Sequence, residues 1–371
     1  MRIVRLEGFR KDLHLAGVGI RMASATTTTI TDVYAVLTTD DGRIGYGEVR
    51  GNMHYFTGDT PERTLDVLQN LLAPRVLGRE MHDLPSILAE VHGATVGNHA
   101  AMAVAEIALH DLAAKRLGIP LYVLLGGRAS AELPSNQTIP FGTPDEAEGH
   151  AVRYLAEGYG QLKLRVGMRP FQMDLDRFRA VAAVAVGRAS LAVDANQAWT
   201  PKEAIRNIRA LHAVAPLEYM EQPTPARDFH ALRQVTAATE VPIMADESLQ
   251  SPRDALELIR LQAVDLLHIK LVKVGGLIPA RQVMAIAEAA GVGYMMGQMT
   301  EGRAATTAAA HCAAASRARY FELYGSEEVL DDPAKGVRLV HGKAILPEGP
   351  GLGVELDLGA LERIFTVEER R

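Results

Sequence analysis

From residue 133 onward the chain repeats one pattern, in which a short apolar segment is followed by a longer amphipathic one. The short segments begin at intervals of about 25 residues. Strand–helix units of that length indicate parallel strands joined by crossover helices, and eight units are typical of a closed β/α barrel. An open doubly wound sheet is the alternative, but no Gly-x-Gly-x-x-Gly motif opens the first unit. The eight strands are predicted near residues 133–138, 161–166, 190–196, 218–221, 243–246, 266–271, 293–298 and 320–324.

The part of the chain before this repeat has a mixed pattern. Three strands are predicted at residues 1–10, 30–38 and 43–48, and the turn Asp40-Asp41-Gly42 makes the last two a hairpin. Helical patterns follow at 61–72, 85–91 and 99–117. The small-residue stretch at 126–130 is a plausible boundary, and we expect the turn-rich tail at 347–357 to return to the N-terminal part.

Composition limits the classes of partner. The chain has 371 residues, of which 48% are hydrophobic, with a net charge of −6, so it can bury a large core and carries no nucleic-acid footprint. Its single cysteine, Cys312, excludes an internal disulfide and favours a cytoplasmic enzyme. No signal core and no membrane-length apolar run is found. We therefore expect a cytoplasmic protein with neither membrane nor nucleic acid as partner. We also expect a homo-oligomer.

Three acids stand at the ends of three successive predicted strands. Asp194, Glu221 and Asp246 are separated by 27 and 25 residues, so in a barrel they converge at the face that carries active sites. Any one of them would serve as an ordinary helix cap, but three in register favour a divalent cation, Mg²⁺ with Mn²⁺ as the alternative. Strand parity favours Asp246 over Glu247, because small Ala245 then faces the helices.

Two cations lie on one face of the second predicted strand. In the segment GQLKLRVG, Leu162 and Leu164 alternate with Lys163 and Arg165. Buried charges of one sign require partners of the other sign. We therefore expect Lys163 and Arg165 to face the three acids and an anionic substrate.

The sixth predicted strand adds a lysine in an apolar setting. Lys270 shares a strand face with His268, and its neighbours are leucine and isoleucine. We predict that burial and the cations across the barrel lower the pKa of Lys270, so that it acts as a base. His268 is interpreted as a satisfied core residue, and Lys273 is predicted to be solvated beyond the strand end.

These residues resemble the enolase superfamily, and within it the muconate lactonizing enzyme subgroup of the mandelate racemase and muconate lactonizing enzyme family. The resemblance covers essentially the whole chain, and its order of acids makes it specific. It implies an α/β fold: a modified (β/α)7β TIM-type barrel at residues 129–345 under an α+β capping domain at 1–128, completed by 346–371. The matching strings are GYGE at 45–48, KLR at 163–165, DANQAW at 194–199, EQP at 221–223, ADES at 245–248, IKLVKVGG at 269–276 and GPGLGVELD at 349–357.

The same resemblance implies the chemistry. It places Mg²⁺ on Asp194, Glu221 and Asp246, makes Lys270 the base that removes the α-proton of a carboxylate substrate, and leads to a metal-stabilised enediolate. It also implies that loops at about 14–30 and 50–58 close over the substrate. The expected activity is an isomerase, of the cycloisomerase or racemase/epimerase type, or a lyase that works by β-elimination.

One position departs from the subgroup. The subgroup usually carries Lys-x-Lys on the second strand, and its second lysine is the catalyst. In this chain Lys163 matches the first lysine, and the second position is Arg165. A guanidinium group has a pKa above about 12 and is a poor proton acceptor. Racemisation with one base on each face is therefore disfavoured, and a one-base reaction through Lys270 is favoured. The alternatives are a dehydratase of a hydroxylated amino or sugar acid and a catalytically inactive carboxylate-binding relative.

Substrate contacts are predicted from the last two strands and from one loop. Glu322 and Tyr324 share a face of the eighth predicted strand, and Gln298 and Glu301 follow the seventh. Tyr55, between two other aromatic residues, is predicted to line a lid. Together with Glu322 it would suit a cationic amino acid or a betaine, and the alternative is an aromatic loop that only packs.

Overall fold

A computed structural model describes residues 1–17, 20–21, 26–54 and 56–369 of the chain. The N-terminal domain is built on an antiparallel sheet, in which β4 pairs with β1 on one side and with β5 on the other. The predicted hairpin is confirmed, with its turn between β4 and β5. The strands are β1 (Ile3–His14), β2 (Ile20–Arg21), β3 (Thr26–Thr27), β4 (Thr29–Thr39) and β5 (Ile44–Arg50).

Helices cover one face of this sheet. The long helix 99–117 is found as predicted, and it is buried along most of its length because alanine lets it pack closely. The predicted helix 61–72 is interrupted by a π-helical segment, Leu68–Leu72, and continues to residue 76. The helices are α1 (Pro61–Val67), α2 (Ala73–Val76), α3 (Leu84–Gly93), α4 (His99–Leu117) and α5 (Leu121–Leu124).

Eight parallel strands then follow one another around a barrel in chain order. A doubly wound sheet would reverse its strand order, so the barrel prediction is confirmed. A parallel bridge between Ser135 and Phe321 joins the first and last strands. The first strand is shorter than predicted. The strands are β6 (Gln137–Ile139), β7 (Gln161–Arg165), β8 (Ser190–Asp194), β9 (Leu217–Glu221), β10 (Ile243–Ala245), β11 (Leu266–Lys270), β12 (Gly293–Gly297) and β13 (Tyr320–Glu322).

A helix follows each of the first seven barrel strands, and the eighth leads into a short 3₁₀ turn, Gly325–Glu328. Two of these helices begin with capping boxes, Thr143 with Glu146 and Thr200 with Glu203. The helices are α6 (Pro144–Ala156), α7 (Gln172–Ala185), α8 (Pro201–His212), α9 (Phe229–Ala238), α10 (Pro252–Arg260), the one-turn α11 (Leu271–Val274), α12 (Leu277–Ala290) and α13 (Arg303–Ala314).

The C-terminal segment returns to the N-terminal sheet, because its last strand pairs antiparallel with β1. The division of the chain at residues 128 and 345 stays a prediction. Across the residues that the structure describes, no helix is long and apolar enough to cross a membrane. The remaining strands are β14 (Ala334–Lys335), β15 (Arg338–Val340), β16 (Lys343–Ile345), β17 (Glu355–Leu356) and β18 (Glu362–Glu368).

Candidate active site

The barrel interior is arranged in layers, and the charged layer lies directly above an apolar one. The apolar cluster contains Tyr219, Met244 and Tyr320, each two residues before an acid on its own strand. Because side chains two apart in a strand share a face, the acids Glu221, Asp246 and Glu322 also point inward. The apolar layer closes the barrel from below, so the charged groups are accessible only from the C-terminal ends of the strands.

The acids predicted to bind a metal lie close together in this upper layer. Glu221 and Asp246 are buried, and Asp194 pairs in register with Glu221 on the neighbouring strand. Glu221, Asp246 and His268 each offer one potential metal-ligand atom, and these three atoms lie within 4.8 Å of one another. His268 therefore lies at this cluster, with Nδ1 2.9 Å from Glu221 Oε1, in addition to being a buried core residue as interpreted from the sequence.

The donor chemistry of this layer fits a hard divalent cation. Carboxylate oxygens are the ligands that Mg²⁺ and Mn²⁺ prefer, and here they are buried and converge. Burial and the nearby Glu221 carboxylate raise the pKa of Asp194 well above its ordinary value. Burial opposes the effect of Lys270 and Lys273 on Asp246, but the two ammonium groups hold its pKa well below the usual range.

Lys163 is held as an ammonium group by two carboxylates. Its Nζ lies 2.7 Å from Glu221 Oε2 and 2.5 Å from Glu322 Oε2. Burial alone would lower the pKa of Lys163, but these carboxylates outweigh burial and raise it well above its ordinary value. This charge state suits electrostatic stabilisation of an anion. Asn136, which the sequence did not single out, also donates to Glu322 Oε2 at 3.2 Å.

The prediction of a lowered pKa for Lys270 is wrong in this structure. Lys270 Nζ donates to Asp246 Oδ2 at 2.9 Å. Burial lowers the pKa of Lys270, but Asp246 and Glu322 more than offset burial and raise it. The prediction considered the cations across the barrel from Lys270. The carboxylates of Asp246 and Glu322 lie within 4 Å of Lys270 Nζ and were not considered.

Lys273 was predicted to be solvated, and this is also wrong. Its side chain is fully buried, and Nζ donates to Asp246 Oδ1, to the Asp246 carbonyl and to the His268 carbonyl, each at 2.6 Å. The one-turn helix α11 begins directly after β11 and turns Lys273 back under the strand ends. The apolar residues around Lys273, directly after the strand, were the feature of the sequence that could have predicted its burial.

A cavity of about 200 Å³ opens above this layer. Arg165 contributes to its wall and pairs in register with Asp194. Burial lowers the pKa of Arg165, but Tyr324 and Asp194 offset burial and raise it, so the guanidinium group stays charged. The residues of the predicted site that line the cavity are Lys163, Arg165, Asp194, Asp246, Lys270, Gln298, Glu322 and Tyr324.

Two of the predicted residues do not line the cavity. Glu221 lies beneath the cavity and does not line it, and neither does Glu301, which is buried within the segment between β12 and α13. Tyr55 lies outside the described residues. Glu247, the alternative to Asp246, does line the cavity, and burial together with Asp246 raises its pKa to about 7.

A loop of the N-terminal domain reaches over the cavity. The ring centroid of Phe56 lies 5.7 Å from Lys270 Nζ, and Gln250 Nε2 donates to the Phe56 carbonyl at 3.0 Å. The loop predicted at 50–58 thus contributes an apolar group beside the lysine. The loop predicted at 14–30 falls partly outside the described residues.

Two family models match the chain. The model described as "Enolase C-terminal domain-like" matches residues 146–360. The model described as "Mandelate racemase / muconate lactonizing enzyme, N-terminal domain" matches residues 10–126. Both parts of the chain are therefore similar to parts of one family.

Individual proteins are similar over nearly their whole length. The L-Ala-D/L-Glu epimerase of Clostridium acetobutylicum is 36% identical, over 90% of this chain and 94% of the relative. Muconate cycloisomerase 1 of Rhodococcus opacus is 32% identical, over 92% and 93%. The crystal structure of a dipeptide epimerase from Cytophaga hutchinsonii, complexed with Mg and the dipeptide D-Ala-L-Val, has a TM-score of 0.93 at 29% identity and covers 99% and 100%.

Proposed function

Because the chain belongs to the enolase superfamily, in its mandelate racemase and muconate lactonizing enzyme family, we propose that it is a Mg²⁺-dependent enzyme that removes the α-proton of a small carboxylate substrate. The observation that carries the proposal is one buried layer that contains carboxylates and Lys270 beneath a small cavity. Asp194, Glu221 and Asp246 would hold the cation. When bound, a divalent cation stabilises the negative charge that develops on the substrate carboxylate.

Lys270 is assigned as the base. It lines the cavity, and its only close acid partner for a hydrogen bond in the described residues is Asp246. That carboxylate favours the ammonium form, so Lys270 accepts a proton more readily once the charge of Asp246 is engaged by another cation. Phe56 places an apolar ring beside Lys270 on this side of the cavity.

Lys163 and Arg165 are assigned to charge stabilisation. Both are held in the charged form by neighbouring groups, and removal of an α-proton from a carboxylate produces a dianionic enediolate that needs such neighbours. Arg165 is a good hydrogen-bond donor and a poor base. Of the substrate contacts, Glu322, Tyr324 and Gln298 are supported by their place in the cavity wall.

A one-base reaction follows from Arg165. We propose a cycloisomerisation in which Lys270 carries the single proton step. In the ring-opening direction Lys270 removes the α-proton and the ring oxygen leaves the β-carbon as a carboxylate, and in the ring-closing direction that carboxylate adds to the β-carbon while Lys270 returns a proton to the α-carbon. The second candidate is β-elimination from a hydroxylated amino or sugar acid, which makes the enzyme a lyase of the dehydratase type. Arg165 favours this candidate as well, because a guanidinium group can donate a hydrogen bond to a departing oxygen.

Other properties stay predictions. The cytoplasmic location rests on the single cysteine, which the sequence places at residue 312. The homo-oligomeric state and the use of Mn²⁺ in place of Mg²⁺ are expectations to be measured, respectively, by light scattering and by metal-dependent activity.

The decisive experiment follows the α-proton. Amino acids, N-acylated amino acids, betaines and sugar acids are incubated with the enzyme and Mg²⁺ in D₂O, and the α-proton signal is followed by NMR. We expect loss of the signal for at least one class, dependent on Mg²⁺ and absent in Lys270→Ala. A protein that binds these acids and exchanges none of them would be the inactive relative.

A further inference from the structure

A second group of buried acids lies where the N-terminal sheet meets the barrel, apart from the charged layer described above. Asp32 on β4 and Glu48 on β5 are both fully buried. Their cross-strand neighbours are Arg50 and Tyr34, respectively, so all four residues lie on the same part of the sheet. The chemistry at the strand ends of the barrel uses none of these acids.

Both acids bind the first turn of α13. Asp32 Oδ2 accepts a hydrogen bond from the Gly302 N–H at 2.7 Å, and Glu48 Oε2 accepts one from the Ala305 N–H at 2.8 Å. Unpaired N–H groups and the helix dipole make a helix N-terminus favourable for negative charge. Glu48 also packs against Gly302, where a side chain would collide with its carboxylate. The sheet and α13 are joined at this point.

One oxygen of each acid remains. Asp32 Oδ1 and Glu48 Oε1 are buried without a hydrogen-bond partner among the described residues, and so is the hydroxyl group of Tyr34, the cross-strand neighbour of Glu48. The two carboxyl groups interact with each other. Two ionised carboxylates cannot donate to each other, and such buried orphan oxygens are costly. A single proton between the two groups satisfies both oxygens.

This junction borders the active site. The segment 298–302 connects β12 to α13, and Gln298, Met299 and Thr300 line the cavity. Arg50 Nη1 donates to the Thr300 carbonyl at 3.4 Å, and Gly302 is the residue that Asp32 holds. The position of the cavity wall therefore depends on the contacts made from the sheet.

We propose that Asp32 and Glu48 share one proton, and that this carboxyl–carboxylate pair positions the segment 298–302 at the mouth of the barrel. Both are positioning residues, because neither lines the cavity. The pairing does not depend on which carboxylate the enzyme acts upon.

The surroundings of the pair agree with a bound proton. Burial raises the pKa of Asp32 to about 7, against the hydrogen bond from Gly302 and the charge of Arg50. Burial and the nearby Asp32 raise the pKa of Glu48 well above its ordinary value. The charged and titratable groups that face the pair from the packed elements are Arg50, Tyr34, Glu301 and Asp332.

The pH dependence has a definite sign. The folded protein binds the shared proton more tightly than the unfolded chain, in which Asp and Glu titrate near pH 4. The stabilisation is therefore fully present below about pH 4, decreases as the pH rises toward the folded pKa of about 7, and is absent above it.

The test compares an amide with a carboxyl group in the same place. In Asp32→Asn the amide oxygen can accept from Gly302 while its NH₂ group donates to Glu48 without a titrating proton. Glu48→Gln reverses the roles, Asp32→Leu removes the contact, and Glu240→Gln is the control at an exposed acid. The midpoint of thermal unfolding of each full-length variant is measured from pH 5 to pH 9.

We expect Asp32→Asn and Glu48→Gln to gain stability relative to the wild type as the pH rises from 5 to about 7, with no further change at higher pH, and Glu240→Gln to run parallel to the wild type. Asp32→Leu should be less stable at pH 5 and 7. The infrared difference spectrum between the wild type and each amide variant at pH 6 should show the loss of one protonated carboxyl band. Parallel unfolding curves with an unchanged band would overturn the shared proton, as would stability that follows the Na⁺ or Mg²⁺ concentration instead of pH.

Hydrogen exchange tests the positioning. Amide protection of residues 298–305 in the wild type should fall by up to about tenfold for each pH unit between about pH 4 and the folded pKa of the pair, and should level off above that pKa, after correction for the intrinsic rate. The same residues in Asp32→Asn should keep their protection. Equal pH dependence in the two proteins would show that the pair does not hold this segment.

Discussion

Two buried groups of acids in this molecule meet the same desolvation in different ways. In the barrel layer, Lys270 and Lys273 donate to Asp246 and hold its pKa well below the usual range. At the sheet junction, Asp32 accepts a backbone N–H, has Arg50 nearby, and still has its pKa raised to about 7. A direct ammonium partner thus decides whether a buried acid is ionised. Asp246 in the barrel layer is ionised and can bind a cation, whereas the acids at the sheet junction favour a bound proton.

Removal of Lys270 is expected to have the largest effect on the barrel layer. Lys270→Ala should reduce α-proton exchange by about 10³–10⁴-fold, in the upper range for loss of a general base. The measurement is the NMR rate in D₂O with Mg²⁺, and Glu240→Gln, at an exposed acid, serves as the control that keeps exchange. Exchange that survives in Lys270→Ala but disappears in Arg165→Met would make Arg165 the base.

Removal of Lys273 would make the barrel layer more like the junction. Lys273→Met leaves Asp246 buried with one ammonium partner, and loss of one member of a buried ion pair costs about 3–5 kcal/mol. We expect a lower midpoint of thermal unfolding, with partial recovery on addition of Mg²⁺. A variant as stable as the wild type without metal would show that Lys270 alone is sufficient to compensate Asp246.

Metal affinity separates the two groups of acids directly. Asp246→Asn should weaken Mg²⁺ binding by at least about 100-fold, since it removes an assigned ligand. Asp32→Asn should leave the Mg²⁺ affinity unchanged. Glu247→Gln should weaken Mg²⁺ binding less than Asp246→Asn does, because Glu247 is a neighbour of the ligand and not an assigned ligand. Isothermal titration calorimetry measures all three. If Glu247→Gln caused the larger loss, the choice of Asp246 from strand parity would be reversed.

Arg165 is expected to give the smallest change. Arg165→Met should slow turnover roughly tenfold, as for one lost charge-assisted hydrogen bond, and leave exchange on the Lys270 side. Arg165→Lys restores the subgroup pattern and is expected to open exchange on the second face of the α-carbon. Deuterium incorporation into each enantiomer of a substrate is the readout, and incorporation on both faces in the wild type would contradict a one-base reaction.

Most of the fold was predictable from periodicity. Strand positions follow from alternation and helix positions from capping and the 3.6-residue repeat, so the barrel, the hairpin and α4 were found near their predicted positions. The π-helical interruption at Leu68–Leu72 was not predicted, because it occurs inside an uninterrupted apolar helical pattern. The charged layer was predictable for the same reason as the strands, since Asp194, Glu221 and Asp246 are placed by local parity.

The sequence by itself determined which side chains enter the barrel, because inward and outward positions alternate along each strand. Only the tertiary structure decided their charge states. Lys270 gained a raised pKa from Asp246, and Lys273 became buried through the turn of α11. Glu301 lies away from the cavity wall, near Asp32. The pKa of a buried group depends on neighbours that other elements contribute, and those neighbours are distant in the chain.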